Sequence, residues 1–175
     1  YDYAQCASCC SLGELPLSGR RSTITDMCFD HVGELLASSS SDGRIAVHTI
    51  DQFVPLPRRP GTDGADATTA AVDCEPILCI DPPANGASAR ALQWNPRDEN
   101  ELLCGFSGGG CSGVCVYDLG GARPGRPART LRSSKAQGTS ALAVVDDGNT
   151  VVGGGRDGEL RVWDLRAKGA VVRQA

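Results

Sequence analysis

Methionine is almost absent from this chain: among 175 residues there is one, Met27, and it stands inside an apolar alternation that predicts a strand. Tyr1 is therefore not expected to be a natural start of translation, and both ends read as cuts through a repeating unit. Basic charge is also scarce. Lys and Arg total 17 against 21 Asp and Glu, a formal net charge of -4, so no positive field exists to hold nucleic acid or an anionic membrane, and neither is expected as a partner. No apolar run reaches the length that spans a bilayer, and the opening YDYAQCASCC lacks the basic and apolar regions of a secretory signal. A cytoplasmic or nuclear location is the resulting expectation.

Histidine is rarer still than acid–base chemistry needs. The two present, His31 and His48, are not paired in sequence with a serine or cysteine nucleophile. Ser38 to Ser41 lie in a small-residue strand without a placed base, and the glycine runs GFSGGG and GGG lack the lysine and helix of a phosphate-binding loop. Asp146-Asp147-Gly148-Asn149 resembles part of a calcium loop, but the remaining ligand spacing is missing and a hairpin turn accounts for it. No catalytic residue, cofactor or small-molecule substrate is nominated, and no enzymatic activity is expected.

Cysteine, by contrast, is abundant. The chain has nine, an odd number that cannot all pair internally. Cys28, Cys104 and Cys115 fall in apolar strand patterns, where a free thiol behaves as a small buried hydrophobe. Cys111 and Cys115 flank a Gly-Ser turn sequence and are expected on opposite sides of a hairpin. Cys6, Cys9 and Cys10 could supply zinc thiolates, yet zinc wants four ligands and no second Cys-x-x-Cys or histidine pair follows, so no metal site is assigned.

The positive signal is repetition. Tyr1-Asp2, His48-Thr49, Tyr117-Asp118 and Trp163-Asp164 occupy equivalent places, at intervals of 47 residues (1 to 48), 69 (48 to 117) and 46 (117 to 163). The first and last agree, and the middle one carries an insertion. Such a period fits one four-stranded blade of a propeller. Ile45 and Val47 align with Val114 and Val116 and with Leu160 and Val162, and period-two alternation means one buried face. Met27 and Phe29 align likewise with Leu92 and Trp94 and with Leu142 and Val144. Between these strands, LLASSSSDG and VVGGGRDG lead into Asp42-Gly43 and Asp157-Gly158, expected as structural turn residues of tight hairpins in which both central positions take positive φ. The small residues are expected where neighbouring blades crowd together. Outer strands are expected around Leu15 to Leu17, Ile77 to Ile80, Ala128 to Leu131 and Ala170 to Arg173, and no helix is.

The expected organisation is all-β, about three blades of a larger ring with flanking strands. Residues 1–20 end a preceding blade, 21–53 form a blade, 54–73 a Pro- and Gly-rich flexible insertion, 74–121 and 122–166 two further blades, and 167–175 the outer strand of the next. Residues 120–127 form a shorter linker, and with Arg129, Arg132 and Lys135 the most basic stretch of the chain, read as a solvated loop. An incomplete ring leaves strand edges unpaired, so flanking sequence or a partner is expected to complete it.

With RDGELRVWDL in the last blade, SDGRIAVHTI and SGVCVYDL as degenerate copies, and this spacing, the chain resembles the WD-repeat β-propeller family. Family blades often carry a Gly-His dipeptide before the first strand, whose histidine joins a buried hydrogen-bond network. Here RRST and AQGT stand at that place, Cys111 replaces the turn aspartate of the middle blade, and Gly153 stands where the first blade has Ser38. Incomplete networks are expected. The resemblance implies a non-catalytic scaffold that binds protein partners. The segment Val151 to Arg166 further resembles the box of WD-repeat substrate receptors of cullin-RING ubiquitin ligases, which implies an adaptor contact through Trp163, Asp164 and above all Arg166. A third possibility is a structural subunit of a large assembly, on which the 54–73 insertion becomes ordered.

Overall fold

The computed structural model describes residues 22–52, 75–132, 138–167 and 171–174. They form twelve strands in chain order: β1 (Ile24–Phe29), β2 (Leu35–Ser40), β3 (Ile45–Thr49), β4 (Leu78–Ile80), β5 (Ser88–Trp94), β6 (Glu101–Ser107), β7 (Gly113–Asp118), β8 (Pro127–Arg132), β9 (Ala141–Val144), β10 (Thr150–Gly154), β11 (Leu160–Asp164) and β12 (Val171–Gln174). One short 3-10 turn, Ile50–Gln52, follows β3. Each consecutive set of four is an antiparallel meander, giving sheets β1 to β4, β5 to β8 and β9 to β12.

β1 lies beside β5 and β5 beside β9, so the sheets fan out from their first strands with faces stacked. The two interfaces between them are the core. Between the first and second sheets, Ala37, Ile45, Val47 and Ile80 pack on Leu92, Trp94, Leu102, Cys104, Phe106 and Tyr117. Between the second and third, Leu103, Val114, Val116 and Leu131 meet Val151, Trp163 and Leu165. The alternation aligned in the sequence is the physical reason: β6 and β7 are covered on both faces, so their residues are buried almost without a break.

Polar bonds tie the stack at its inner edge. Thr25 donates to the Ala89 carbonyl at 2.8 Å, the Leu92 amide to Asp26 at 2.7 Å, and the Trp94 indole to the Cys28 carbonyl at 3.2 Å. On the other side Asn95 donates to the Gly148 carbonyl at 2.8 Å and Thr139 to that of Phe106 at 3.0 Å.

The outer strands correct the expected boundaries. Leu78–Ile80 pairs with β3, Pro127–Arg132 with β7, and Val171–Gln174 with β11. Residues 171–174 thus finish the third sheet rather than supply the outer strand of a further blade, and the sequence repeat is offset from the sheet by one strand. A hairpin return places each outer strand against the strand that precedes it in the chain, and that proximity decides its sheet. Leu15 to Leu17, the 54–73 insertion and the cysteines at 6, 9 and 10 lie outside the described residues. Among those described, no group of three or more His, Cys, Asp or Glu could hold a metal ion.

Met27 and Phe29 also differ from expectation: they are 54% and 60% exposed. They occupy the face of β1 that points away from the second sheet, whereas Leu92 and Trp94 have the first sheet against them, and Leu142 and Val144 the second. The pattern encodes the apolar face, and a packed neighbour is what buries it.

Candidate functional site

Asp42 and Asp157 stand in hairpin turns whose geometry differs from the one expected. Gly43 donates to the Ser40 carbonyl at 2.9 Å and Ser40 to that of Arg44 at 3.0 Å; Gly158 donates to Gly155 at 3.2 Å and Gly155 to Glu159 at 3.1 Å. Gly43 has φ of 89° and Gly158 of 79°, and no described residue other than glycine has positive φ. Neither aspartate therefore has positive φ, and the glycine after it alone takes it. The carboxylates fasten the loops. Asp42 accepts from the Ser40 hydroxyl and, at 3.3 Å, the Arg44 amide, while Asp157 accepts from the Glu159 amide at 3.2 Å and from the side chain of Arg161. Arg161 is fully buried and also donates to Glu159 at 3.0 Å. Arg161 therefore holds the Asp157 carboxyl below the usual carboxylate range.

The segment after β11 gathers the residues singled out for partner contact. Alternation sorts them: Trp163 and Leu165 point into the core at 0% and 5% exposure, so Asp164 and Arg166 point out. Trp163 is thereby corrected as a contact residue. Its ring fills the interface with the second sheet, and its indole donates to the Arg132 carbonyl at 3.3 Å. It fixes the strand from which the others project. The Leu165 amide donates to the Asn149 carbonyl at 2.7 Å, and a guanidinium nitrogen of Arg129 donates to the Leu165 carbonyl. Arg166, whose side chain is 68% exposed, clamps Asp164 through Nε at 2.9 and 3.2 Å and Nη2 at 2.8 Å, while its own amide donates to the same carboxylate at 2.9 Å. Those bonds hold the Asp164 carboxyl below its ordinary range and the Arg166 guanidinium above its own.

Beside this pair, Asp147 closes the turn between β9 and β10. It accepts from the amides of Asn149 and Thr150 and from the Thr150 hydroxyl at 2.8–2.9 Å, which lowers its carboxyl, so the Asp-Asp-Gly-Asn segment is a turn, as its sequence indicates. Arg97 joins the same rim by donating to the Asp146 carbonyl at 2.7 Å. Sequence reasoning missed Arg97. Arg129 sits on β8, within the outer strand expected around Ala128 to Leu131, and only tertiary packing brings its head to the end of β11.

The family model of the WD domain, G-beta repeat, matches residues 9–48 and 125–164. Two stretches of this chain are WD repeats. The second match begins just before β8 and ends at Asp164, which reproduces the one-strand offset between repeat and sheet. Among solved structures, a chain of the mitotic checkpoint complex resembles this chain with a TM-score of 0.64 over 90% of its length at 14% identity. The alignment spans 38% of that chain, and at this identity it speaks to the fold, an all-β partial propeller. No curated protein matches the sequence.

Proposed function

We propose that this chain is a non-catalytic WD-repeat scaffold that binds protein partners in a cytoplasmic or nuclear complex, with Arg166 as a contact point. The observation that carries the reading is the Asp164–Arg166 clamp: an arginine side chain 68% exposed, held by a bidentate pair where β11 ends in a turn, beside buried Trp163 and Leu165. A free arginine loses rotamer entropy when it binds, whereas one already fixed loses less. Nη1 takes no part in the clamp and is free to donate outward. Matching of Val151 to Arg166 with the substrate-receptor box supports one partner in particular, the adaptor subunit of cullin-RING ubiquitin ligases.

The test is a pull-down of wild type and Arg166→Asp with that adaptor. Retention of wild type with loss of the variant is expected. Equal retention of both, or of neither, removes the adaptor reading. Because Arg166 is exposed, matched thermal unfolding of the two proteins separates lost binding from lost fold.

A further inference from the structure

Four pairs among the described residues put a glycine directly after an aspartate or asparagine: Asp42-Gly43, Asn85-Gly86, Asp147-Gly148 and Asp157-Gly158. In any such pair the glycine amide nitrogen lies within ring-closing reach of the side-chain carbonyl carbon before it. Glycine leaves that nitrogen unshielded and gives the backbone the freedom to turn into the attack. Hydrogen bonds decide which pair is open to it.

Three of the pairs are tied on both partners. The amides of Gly43, Gly148 and Gly158 donate to the carbonyls of Ser40, Val145 and Gly155 at 2.9, 2.9 and 3.2 Å. The carboxylates before them accept bonds of their own: Asp42 from the Ser40 hydroxyl and the Arg44 amide, Asp147 from Asn149 and Thr150, Asp157 from the Glu159 amide and Arg161. Asn85-Gly86 differs. It forms the centre of the turn that links β4 to β5, closed by the Ala87 amide donating to the Ala84 carbonyl at 3.1 Å. Gly86 has φ of 77° and Asn85 no positive φ, the pattern of a type II turn. Both residues are exposed. Among the described residues, neither the Asn85 carboxamide nor the Gly86 amide takes part in a hydrogen bond. The turn rests against the β6–β7 loop: a Cβ at Gly109 would lie 2.6 Å from the Asn85 carbonyl oxygen and 2.7 Å from the Gly86 carbonyl carbon. A Cβ at Gly86 would meet only the Gly109 Cα, at an ordinary 3.8 Å, so Gly86 itself is not wedged.

We propose that Asn85 is a site of spontaneous modification, at which the native chain converts the asparagine through a cyclic imide to a mixture of aspartate and isoaspartate. The Gly86 nitrogen, on losing its proton to hydroxide, attacks Cγ of Asn85. The new C–N bond forms, the bond from Cγ to the carboxamide nitrogen breaks, and that nitrogen takes up a proton and leaves as ammonia. Water then opens the imide. Cleavage between Cγ and the ring nitrogen gives aspartate; cleavage between the main-chain carbonyl carbon and the ring nitrogen gives isoaspartate, in which the backbone runs through the former side chain. One water enters and one ammonia departs, with no oxidation or reduction. Either product adds a negative charge. Isoaspartate also adds a methylene to the backbone of a turn that packs on Gly109 and joins the first sheet to the second.

The test ages the native whole chain in neutral buffer beside a sample held unfolded in guanidinium chloride, then cuts both with trypsin and an endoproteinase that cleaves before aspartate. Peptide Asp81–Arg90 holds the Asn85-Gly86 pair and no other of the kind. Isoaspartate at position 85 leaves that peptide whole with the mass gained on replacing an amide by an acid, whereas aspartate there creates a new cut. Isoaspartate at Asp42, Asp147 or Asp157 shows as a lost cut. Opening the turn breaks one hydrogen bond, so folding is expected to slow conversion at position 85 by no more than about tenfold. At the three aspartates two or more bonds must break, and folding is expected to slow isoaspartate formation there by about a hundredfold or more. Asn85→Gln, whose longer side chain disfavours ring closure, is expected to leave the position unconverted. Protection of position 85 by folding as strong as that at any of the three aspartates, or conversion of Asn85→Gln at the wild-type rate, would overturn the proposal.

Discussion

Adding one methyl group to β10 distinguishes packing from backbone preference. Neither Gly153 nor Gly154 has positive φ, so alanine at either position shrinks the unfolded ensemble and on that ground stabilises by about 0.4–1 kcal/mol. Their surroundings oppose each other. A Cβ at Gly153 would lie 2.7 and 3.0 Å from the Trp163 ring and 2.9 Å from the Thr139 methyl, whereas at Gly154 the nearest atoms, on Ala141 and Leu160, are at 3.7 and 3.8 Å. Trp163 and Thr139 are both 0% exposed, so neither can retreat toward solvent. Overpacking of this kind costs about 1–3 kcal/mol. Net of the backbone gain, Gly153→Ala is expected to lose about 1–2 kcal/mol, a fall of roughly 2–8 °C in melting temperature. Gly154→Ala is expected to match wild type or gain up to about 1 kcal/mol. Urea unfolding followed by tryptophan emission and far-ultraviolet dichroism gives both values, with unchanged m as the check on the comparison. A Gly153→Ala protein as stable as Gly154→Ala would refute the claim that the Trp163 ring dictates glycine in this strand.

Further outcomes follow from the turns and their carboxylates. Gly43→Ala adds a methyl that collides with the Ala87 carbonyl oxygen and lies 2.7 Å from the Pro82 Cβ at φ of 89°, while Gly158→Ala meets nothing within 4 Å at φ of 79°. The second is expected to cost about 1–2 kcal/mol of left-handed strain and the first more; calorimetric melting checks the order, and a costlier Gly158→Ala would contradict it. The carboxyls of Asp147, Asp157 and Asp164 are all lowered from 3.8. Their contribution is therefore present above that value and lost as the pH falls through the lower folded values. The urea midpoint should hold from pH 7 to 5 and decline below about 4, less steeply in Asp147→Ala; a midpoint unchanged down to pH 3 counts against these hydrogen bonds.

The strand pattern was legible because alternation is local: Ile45, Val47, Val114 and Val116 announce a buried face in the sequence, and the structure buries them. What covers a face is not local. Met27 and Phe29 carry the same signal as Leu92 and Trp94 yet stay exposed, since burial depends on the sheet packed opposite. Asp-Gly identified the turns but not their dihedrals: positive φ is expected at both central positions and found at the glycine alone, because one glycine after an aspartate suits more than one loop geometry. The candidate site divides in the same way. The motif singled out Arg166 and also named Trp163 as a contact, which the structure buries in the core; the approach of Arg129 and Arg97 to the rim depends on strands far apart in the chain.

The one-strand offset between repeat and sheet bears on where this chain can be divided. A boundary drawn after Asp164, where the family match ends, would strip β12 from β11 and leave a raw edge available to other chains. One drawn after Gln174 keeps all twelve strands paired. Inheritance and folding thus run out of phase: a tandem copy of the sequence unit delivers three strands of a new sheet together with the strand that closes the old one, so each added blade arrives already stapled to its predecessor.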